Sequence, residues 1–325
     1  MATYKGINGF AVQSVASDPS PSNEGQVWYN NATYAFKLAA VTTAGTWATG
    51  GNLNTARELV AGCGLQTAGL AFGGYSTTET GATEEYDGSA WTAGGSLATV
   101  RNAMGGAGTQ TAGLAFGGFT GTAVTNATEE YDGSTWAGGG SLGTTRRLLG
   151  GAGLQTAGLA FGGFNSSNNN TAATEEYDGS AWTTGGNLGT ARRVPGGLGT
   201  QTAGLGFGGY ITGATNATEE YDGTSWAAGG NLGTARYALA GAGTQTAGLG
   251  FGGSASTVRS ASTEEYNGTS WIVSSNMGTA RYVLAGAGTQ TAGLAFGGKT
   301  TVNTAATEEY SGAVLATKTI TTSTT

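Results

Sequence analysis

The sequence predicts an all-β protein in which one unit of 44 to 46 residues occurs six times between residues 45 and 311. Three features predict it: a Gly-Gly pair, a Thr-Glu-Glu-Tyr segment and an arginine, each at the same place in every copy. The Gly-Gly pairs begin at residues 73, 117, 162, 208, 252 and 297, and the Thr-Glu-Glu-Tyr segments begin at 83, 128, 174, 218, 263 and 307. A fixed period of this length is typical of β-propellers and solenoids.

The composition supports packed sheets. Glycine accounts for 63 of the 325 residues, proline for three, and 10% of residues are charged. Leu, Phe, Tyr and Trp recur at fixed positions, which indicates ordered sheets with many turns. The net charge of −7 argues against a nucleic-acid partner, because phosphate binding needs a basic surface. No apolar run reaches the length of a membrane span, so no membrane insertion is expected.

The residue types also restrict the chemistry. The chain has no histidine, which excludes Ser-His-Asp and Cys-His nucleophile systems and removes the commonest metal ligand. We therefore expect a protein that is not an enzyme, with no catalytic residue, no metal and no cofactor. The single cysteine, Cys63, excludes an internal disulfide. Its equivalents in the other repeats are Ala or Leu, so we interpret it as a small buried residue.

Residues 1–44 precede the repeats. A polar stretch at residues 16–25 carries Pro19 and Pro21, and alternating large residues on both sides of Asn30-Asn31 predict a β-hairpin. A two-stranded hairpin is marginally stable alone, so this one should have a further partner. The repeats do not need residues 1–24, which we predict to be an N-terminal attachment segment with candidate contacts Tyr4, Lys5 and Phe10.

Each repeat is predicted to contain four strands, a to d. In the fifth copy, strand a covers residues 236–242 and strand b covers residues 246–251, ended by Gly-Gly. Strand c is the Thr-Glu-Glu-Tyr segment, and an Asp-Gly or Asn-Gly turn leads to strand d at a tryptophan. In strand b, the large Leu70 and Phe72 alternate with small residues. Large side chains of one sheet are therefore expected to pack on the small-residue face of the next.

These residues resemble a known repeat. A hydrophobic strand ending in Gly-Gly, then Tyr-Asp, a spaced Trp and an Arg is similar to the kelch repeat over residues 45–311. The resemblance implies that each repeat is one four-stranded blade of a β-propeller. The spacing of five residues from Tyr to Trp is shorter than in many kelch blades and implies a tight c–d hairpin.

The closure of the ring is predicted from the strand-d positions. Trp47 lies at such a position before the first complete repeat, and Leu315 lies at one after the last. We favour a seven-bladed propeller over residues 25–325, with six repeats in 45–311 and a composite closing blade from 26–48 plus 317–325. In that blade residues 46–48 form strand d and the C-terminal tail forms strand a. A six-bladed propeller is the alternative.

A second resemblance concerns the N-terminal residues. An Asp-Pro, a polar spacer, Gly-Gln-Val-Trp-Tyr-Asn and a Lys-Leu are similar to segments of bacteriophage tail-fibre and other virion proteins. This implies a structural protein on the virion exterior, attached to other virion proteins through residues 1–24 and capable of forming homo-oligomers. Its partner outside the particle would be a host-surface glycan or protein. The alternative is a free carbohydrate-binding, lectin-like propeller.

The paired glutamates of the repeats are the one arrangement that could indicate a glycosidase. Adjacent residues of a strand point to opposite faces, so a pair is not expected to flank one bond. Six equivalent copies also fit a scaffold better than a single catalytic site. We interpret the pairs as structural, with one Glu of each bonded to a repeat arginine or to a backbone amide.

The loop between Gly-Gly and Thr-Glu-Glu-Tyr differs most between copies. Strand direction alternates within a blade, so all six of these b–c loops are expected on one face, beside the d–a connections. A rigid scaffold that displays different loops on one face is a common binding surface. The alternative is that the loops vary because nothing constrains them. The candidate binding residues are Tyr75, Phe119, Phe164, Asn165, Tyr210, Arg259 and Lys299.

Overall fold

A computed structural model of the chain describes residues 12–19, 26–43 and 45–320. All regular structure in these ranges is β-strand, so they contain no helix that could cross a membrane. The strands, in chain order, are β1 (Gln13–Val15), β2 (Val27–Asn30), β3 (Ala35–Thr43), β4 (Thr46–Thr49), β5 (Ala61–Leu65), β6 (Ala68–Phe72), β7 (Thr83–Tyr86), β8 (Trp91–Gly94), β9 (Gly105–Thr109), β10 (Ala112–Phe116), β11 (Thr128–Tyr131), β12 (Trp136–Gly139), β13 (Arg146–Arg147), β14 (Gly150–Leu154), β15 (Ala157–Phe161), β16 (Phe164–Asn165), β17 (Thr174–Tyr177), β18 (Trp182–Thr184), β19 (Gly196–Thr200), β20 (Ala203–Phe207), β21 (Thr218–Tyr221), β22 (Trp226–Ala228), β23 (Ala240–Thr244), β24 (Ala247–Phe251), β25 (Ser254–Ala255), β26 (Val258–Arg259), β27 (Thr263–Tyr266), β28 (Trp271–Ser274), β29 (Ala285–Gly288), β30 (Ala292–Phe296), β31 (Thr307–Ser311) and β32 (Val314–Thr319).

The chain divides into two compact units, residues 46–311 and the two terminal segments 1–45 with 312–325. In the larger unit, six four-stranded antiparallel sheets follow the repeats. We number them sheets 1 to 6: β5-β6-β7-β8, β9-β10-β11-β12, β14-β15-β17-β18, β19-β20-β21-β22, β23-β24-β27-β28 and β29-β30-β31-β4. The short pairs β13-β16 and β25-β26 lie in the connections. This all-β arrangement is compatible with a β-propeller.

Each sheet packs its large side chains on the small residues of the next, as predicted. Leu70 and Phe72 of sheet 1 are fully buried in one cluster with Ala115 and Trp136 of sheet 2. Gly113 is required at this interface, because a Cβ there would stand 2.6 Å from Leu70 Cδ2. Sheet 6 packs on sheet 1 in the same way, so the six sheets contact one another in a closed series.

Hydrogen bonds repeat at every interface between sheets. The Trp136 indole donates to Thr83 Oγ1 of the preceding sheet at 2.9 Å, and its ring centroid lies 4.9 Å from that of Phe72. The Gln110 amide donates to two carbonyls of sheet 1, those of Gly69 and Tyr86. The glutamines have this role in all six repeats, which sequence analysis did not predict: Gln66, Gln110, Gln155, Gln201, Gln245 and Gln290.

The residue two positions after each repeat arginine has a positive φ of 47° to 56°. Its N–H donates to the carbonyl of the equivalent residue in the preceding repeat, over 2.7 to 3.0 Å, and Leu59 of repeat 1 donates to Val283 of repeat 6. These six bonds close into a ring that we call the backbone collar: Leu59, Ala103, Leu148, Val194, Ala238 and Val283. Positive φ is unusual for a β-branched residue such as Val194, so the closed ring must stabilise that conformation.

The collar corrects one predicted element. Strand a of the fifth copy was expected at residues 236–242, but β23 begins at Ala240. The preceding residues turn through the positive φ of Ala238 and form the collar, so they cannot continue a strand. Strand b was predicted correctly, because the alternation of large and small residues in β24 is strict.

The predicted strand pairing of the composite closing blade is wrong. Trp47, expected in a seventh blade, lies in β4 and pairs with Tyr310 of β31, so it supplies the fourth strand of sheet 6. Strand β32, which contains Leu315, pairs with β3 and not with β31. The spacing of Trp47 is the same for either pairing, so local sequence did not decide between them. Residues 321–325 of the predicted strand a lie outside the described residues.

The terminal segments form a sheet of their own, in the order β1-β2-β3-β32. The predicted hairpin is confirmed, with β2 and β3 antiparallel across a turn at residues 31–34. Strand β1 pairs in parallel with β2. The Asp18 carboxylate accepts hydrogen bonds from Trp28 Nε1 at 2.9 Å and from Asn30 Nδ2 at 2.7 Å, and these bonds lower its pKa. Residues 13–15 of the predicted attachment segment therefore form a strand of this sheet, and Asp18 is bonded to strand β2.

The glutamate pairs are structural, as predicted, and their two members have different partners. In sheet 3, Glu175 bonds the buried Arg146 at 3.0 Å, and Arg146 also donates to the carbonyls of Gly162 and Ala173. The second glutamate accepts from the tyrosine hydroxyl of a neighbouring sheet, as Glu85 does from Tyr131 at 2.6 Å. The same Arg–Glu pair is present in all six repeats, and in each the arginine is almost completely buried.

Arg146→Ala should lower the free energy of unfolding by about 3–5 kcal/mol, because it leaves the buried Glu175 carboxylate without its partner. The matched control is Arg147→Ala, one residue further along the chain. Arg147 is partly exposed and has no carboxylate partner among the described residues, so its loss should cost about 1 kcal/mol or less. Urea unfolding of both variants checks this. Equal losses would contradict the role assigned to the buried pair.

The six buried tyrosines predict that the protein loses stability at alkaline pH. Burial, followed by the bond to Glu85, raises the pKa of Tyr131 to about 12, and the other five behave alike. An unfolded tyrosine has a pKa of about 10. The raised pKa therefore contributes stability that is complete below about pH 10 and is lost as the pH rises towards 12.

Urea unfolding from about pH 9 to about pH 12 should show this decline. Tyr131→Phe should reduce the proton uptake linked to folding in that range by about one proton. An unchanged pH dependence in Tyr131→Phe would refute the assignment.

Candidate functional site

The candidate site is the face of the larger unit that carries the b–c loops. In each repeat, the residue after Gly-Gly pairs antiparallel with the residue after the repeat arginine, so the b–c loop lies beside the d–a connection as predicted. We call this surface the loop face. Its six pairs all differ: Glu58–Tyr75, Asn102–Phe119, Arg147–Phe164, Arg193–Tyr210, Tyr237–Ser254 and Tyr282–Lys299.

The Gly-Gly pair positions these variable residues. Gly73 and Gly74 have φ values of 62° and 107°, which bend the chain out of β6. A Cβ on Gly73 would stand 2.7 Å from the Arg101 carbonyl oxygen, to which the Gly74 N–H donates at 3.0 Å. Glycine is needed here because the bend brings the backbone against the next repeat. Tyr75 and its equivalents therefore leave the bend at a fixed position.

Aromatic rings and arginines alternate across repeats 2 to 5. The Arg147 guanidinium lies 4.8 Å from the Phe119 ring centroid and 5.7 Å from that of Phe164. Arg193 lies 4.6 Å from the Phe164 centroid, on which both arginines converge, and 4.4 Å from that of Tyr210. The Tyr210 ring then meets Tyr237 edge-on at 5.4 Å. We call these six partly exposed side chains the aromatic–arginine arc: Phe119, Arg147, Phe164, Arg193, Tyr210 and Tyr237.

The arginines of the arc lack acidic partners. Within the described residues, Arg147 makes no ion pair and no side-chain hydrogen bond, and its Nε is buried without a partner. Among the described residues the Arg193 guanidinium donates only to Asn170 Oδ1, at 3.2 Å, and the Asn170 amide in turn donates to the carbonyls of Tyr210 and Ile211. The arc therefore holds the guanidinium groups of Arg147 and Arg193 in fixed positions. No carboxylate of the described residues neutralises their positive charges.

The junction of repeats 6 and 1 is different. Lys299 Nζ bonds Glu58 Oε1 at 2.9 Å, and this bond raises the pKa of the lysine. Asn303 donates to the carbonyls of Tyr75 and Ser76, which ties the two b–c loops together. These residues line an open groove of about 790 Å³. The one lysine of the groove is neutralised by Glu58, in contrast to the arginines of the arc.

The predicted residues fall into three groups. Phe119, Phe164 and Tyr210 belong to the arc, whereas Tyr75 and Lys299 line the groove. The remaining two lie in neither, because the Asn165 carboxamide accepts from backbone N–H groups of its own loop and Arg259 lies 5.7 Å from the Tyr282 ring. That any of them binds a ligand stays a prediction. Tyr4, Lys5 and Phe10 lie outside the described residues.

Half of the arc lies outside the b–c loops and was not predicted from the sequence. Arg147, Arg193 and Tyr237 each follow a repeat arginine directly, and this position holds four different residue types in the six copies while the preceding arginine is constant. That contrast was the available signal. Within the described ranges no cluster of acidic, cysteine or histidine side chains could hold a metal ion.

A double-mutant cycle should detect the stacking within the arc. Arg193→Ala and Phe164→Leu remove the two groups of one contact, and we expect a coupling energy of about 0.5–1 kcal/mol from urea unfolding of the single and double variants. The control cycle combines Arg193→Ala with Phe119→Leu, whose ring contacts Arg147 instead. We expect no measurable coupling there, and equal coupling in both cycles would contradict a direct contact.

Comparison with known proteins adds no identification. No protein-family model matches the chain, and no curated protein gives a significant match.

Proposed function

We propose that the chain is a non-enzymatic, six-bladed β-propeller of kelch type that serves as an exterior component of a bacteriophage virion, such as a tail fibre. Its loop face would recognise the host surface. One observation carries the proposal: the repeated polar side chains are bonded inside the fold, whereas the variable ones gather on one face. Binding specificity therefore resides in the residues that differ between repeats.

The blade count rests on the closed series of sheets. Six collar bonds join the repeats in a ring, and strand β4 completes sheet 6. The kelch type is supported by the consistent roles of its signature residues. Gly-Gly makes the bend at the loop face, the tryptophan packs between sheets, and the arginine bonds the carbonyls of the bend and of the loop end.

The distribution of charge supports a recognition role for the loop face. Within residues 46–311, every basic side chain other than the six repeat arginines belongs to it: Arg147, Arg193, Arg259 and Lys299. The exposed c–d turns at the opposite end of the sheets carry four aspartates: Asp87, Asp132, Asp178 and Asp222. The two ends of the unit thus differ in charge, which favours one orientation towards a charged surface.

The virion assignment rests on the N-terminal resemblance. Three of the residues that carry it are bonded together in the terminal unit, where Asp18 accepts from Trp28 and from Asn30. Such a compact unit suits attachment to other virion proteins, with residues 1–24 including Tyr4, Lys5 and Phe10 as the contact segment. We also propose that the chain can associate as a homo-oligomer on the particle.

A free lectin-like propeller is the second candidate. The groove at the junction of repeats 6 and 1 favours it, because its volume of about 790 Å³ is in the range of small-ligand sites. A lectin of this kind would bind a neutral saccharide through Tyr75, Lys299 and Asn303.

Electron microscopy of purified phage particles, labelled with an antibody raised against residues 46–311, tests the proposal. We expect label on an exterior appendage. Particles without the label, together with soluble chain in the lysate, would contradict the virion role and favour the free lectin.

A further inference from the structure

We propose that the aromatic–arginine arc binds an acidic saccharide, with Arg147 and Arg193 holding the carboxylate or sulfate groups of its sugars. This inference rests on the recognition function proposed above and names the class of ligand. It concerns the arc alone, and the groove at the junction of repeats 6 and 1 is not part of it.

The positive charges of Arg147 and Arg193 are not compensated within the described residues. The six repeat arginines each pair with a glutamate, and Lys299 pairs with Glu58. Arg147 and Arg193 have no carboxylate partner within the described residues, although the chain has a net charge of −7. Two adjacent, partly exposed arginines that the carboxylates of the described residues leave unpaired indicate a site for an external anion.

The guanidinium groups of Arg147 and Arg193 are preorganised for binding. A guanidinium that stacks on rings uses its flat face for that contact and keeps its N–H edge free for hydrogen bonds. Arg147 is stacked between Phe119 and Phe164, and Arg193 between Phe164 and Tyr210. Asn170 further holds Arg193. Both guanidinium groups are therefore fixed before binding, which reduces the conformational entropy that is lost when an anion binds. A planar guanidinium can bind carboxylate or sulfate oxygens in a bidentate manner.

The loops beside the arc favour a saccharide over other anions. The loop beside Phe164 reads Asn-Ser-Ser-Asn-Asn-Asn at residues 165–170, and the loop of repeat 2 adds Thr120 and Thr122. Among these residues the side chains of Ser166, Ser167, Asn168, Asn169 and Thr122 are exposed, and their amides and hydroxyls are hydrogen-bonding groups that match the hydroxyls of a sugar chain. Nucleic acids depend on many simultaneous phosphate contacts, and the arc offers only two arginines. An acidic sugar needs few charges and many hydroxyl partners, which is the combination present.

Isothermal titration calorimetry of the full chain tests this. The probes are oligogalacturonate and dextran sulfate, with methyl-esterified oligogalacturonate and dextran as their uncharged counterparts. We expect binding of at least one charged probe and of neither uncharged one, with affinity falling as salt is added. Preference for oligogalacturonate would assign a carboxylate ligand, and preference for dextran sulfate a sulfate ligand.

Variants connect the binding to the arc. Arg147→Gln and Arg193→Gln should each weaken binding about tenfold or more, since each removes hydrogen bonds to a charged group. Arg147→Lys should also weaken it, because lysine keeps the charge without the planar fork. Lys37→Gln removes one exposed positive charge from the terminal sheet and is the matched control, for which we expect unchanged affinity. Thermal unfolding of each variant verifies that the fold is retained.

Three results would overturn the inference. They are unchanged affinity in the folded Arg147→Gln/Arg193→Gln double variant, absence of binding to both charged saccharides, and tighter binding of single-stranded DNA or polyglutamate than of either saccharide. None of these affects the particle-labelling experiment, so failure here is distinguishable from failure of the virion proposal.

Discussion

The buried guanidinium of the repeat arginine is the interaction on which the larger unit depends. In every repeat it joins three segments that are distant in sequence: the Gly-Gly bend, the end of the b–c loop and the first glutamate of strand β7 or its equivalent. Burying such a charge is costly unless it is paired with an opposite charge. The glutamate pairs with Nη2 and the two carbonyls accept from Nη1, whereas within the described residues Nε of five of the six arginines has no partner. The variable residues of the loop face directly follow this arginine and the Gly-Gly pair. The constant groups thus hold the variable positions side by side.

This arrangement separates the residues that stabilise the fold from those that vary on the loop face. The Thr-Glu-Glu-Tyr segments contribute most of the acidic residues, yet their carboxylates are bonded to arginines, tyrosines and backbone amides inside the fold. The net charge of −7 therefore describes the loop face poorly. Substitution at Phe119 or Tyr210 changes what the surface presents without touching a buried ion pair. A scaffold of this kind tolerates variation at the positions to which the proposed function assigns binding.

Much of the fold could be predicted because its signals are local and occur six times. The alternation of Leu70 and Phe72 with small residues defined strand β6 and its packing, and the Asp-Gly turns defined the c–d hairpins. The collar could not be predicted, because a positive φ at Val194 opposes the preference of that residue. Tertiary hydrogen bonds override the preference, and they are invisible in one repeat.

The candidate site could be predicted only in part for a related reason. The b–c loops were identified by their variability, which located Phe164 and Tyr210. The stacking of Arg147 on Phe164 depends on the register between two connections, and a short segment does not specify that register. The strand containing Trp47 posed the same problem over a longer distance, since its partner is more than 250 residues away.

That last pairing gives the larger unit an unusual topology. Thr46 and Ser311 are its first and last residues, and they face each other as partners in β4 and β31. The chain therefore enters and leaves the unit at neighbouring points, as it does in a domain inserted into a surface loop of another protein. Force applied between the two ends would act first on this pair of strands. The six repeats could thus be transplanted as a single cassette into a host loop without altering the order of any strand.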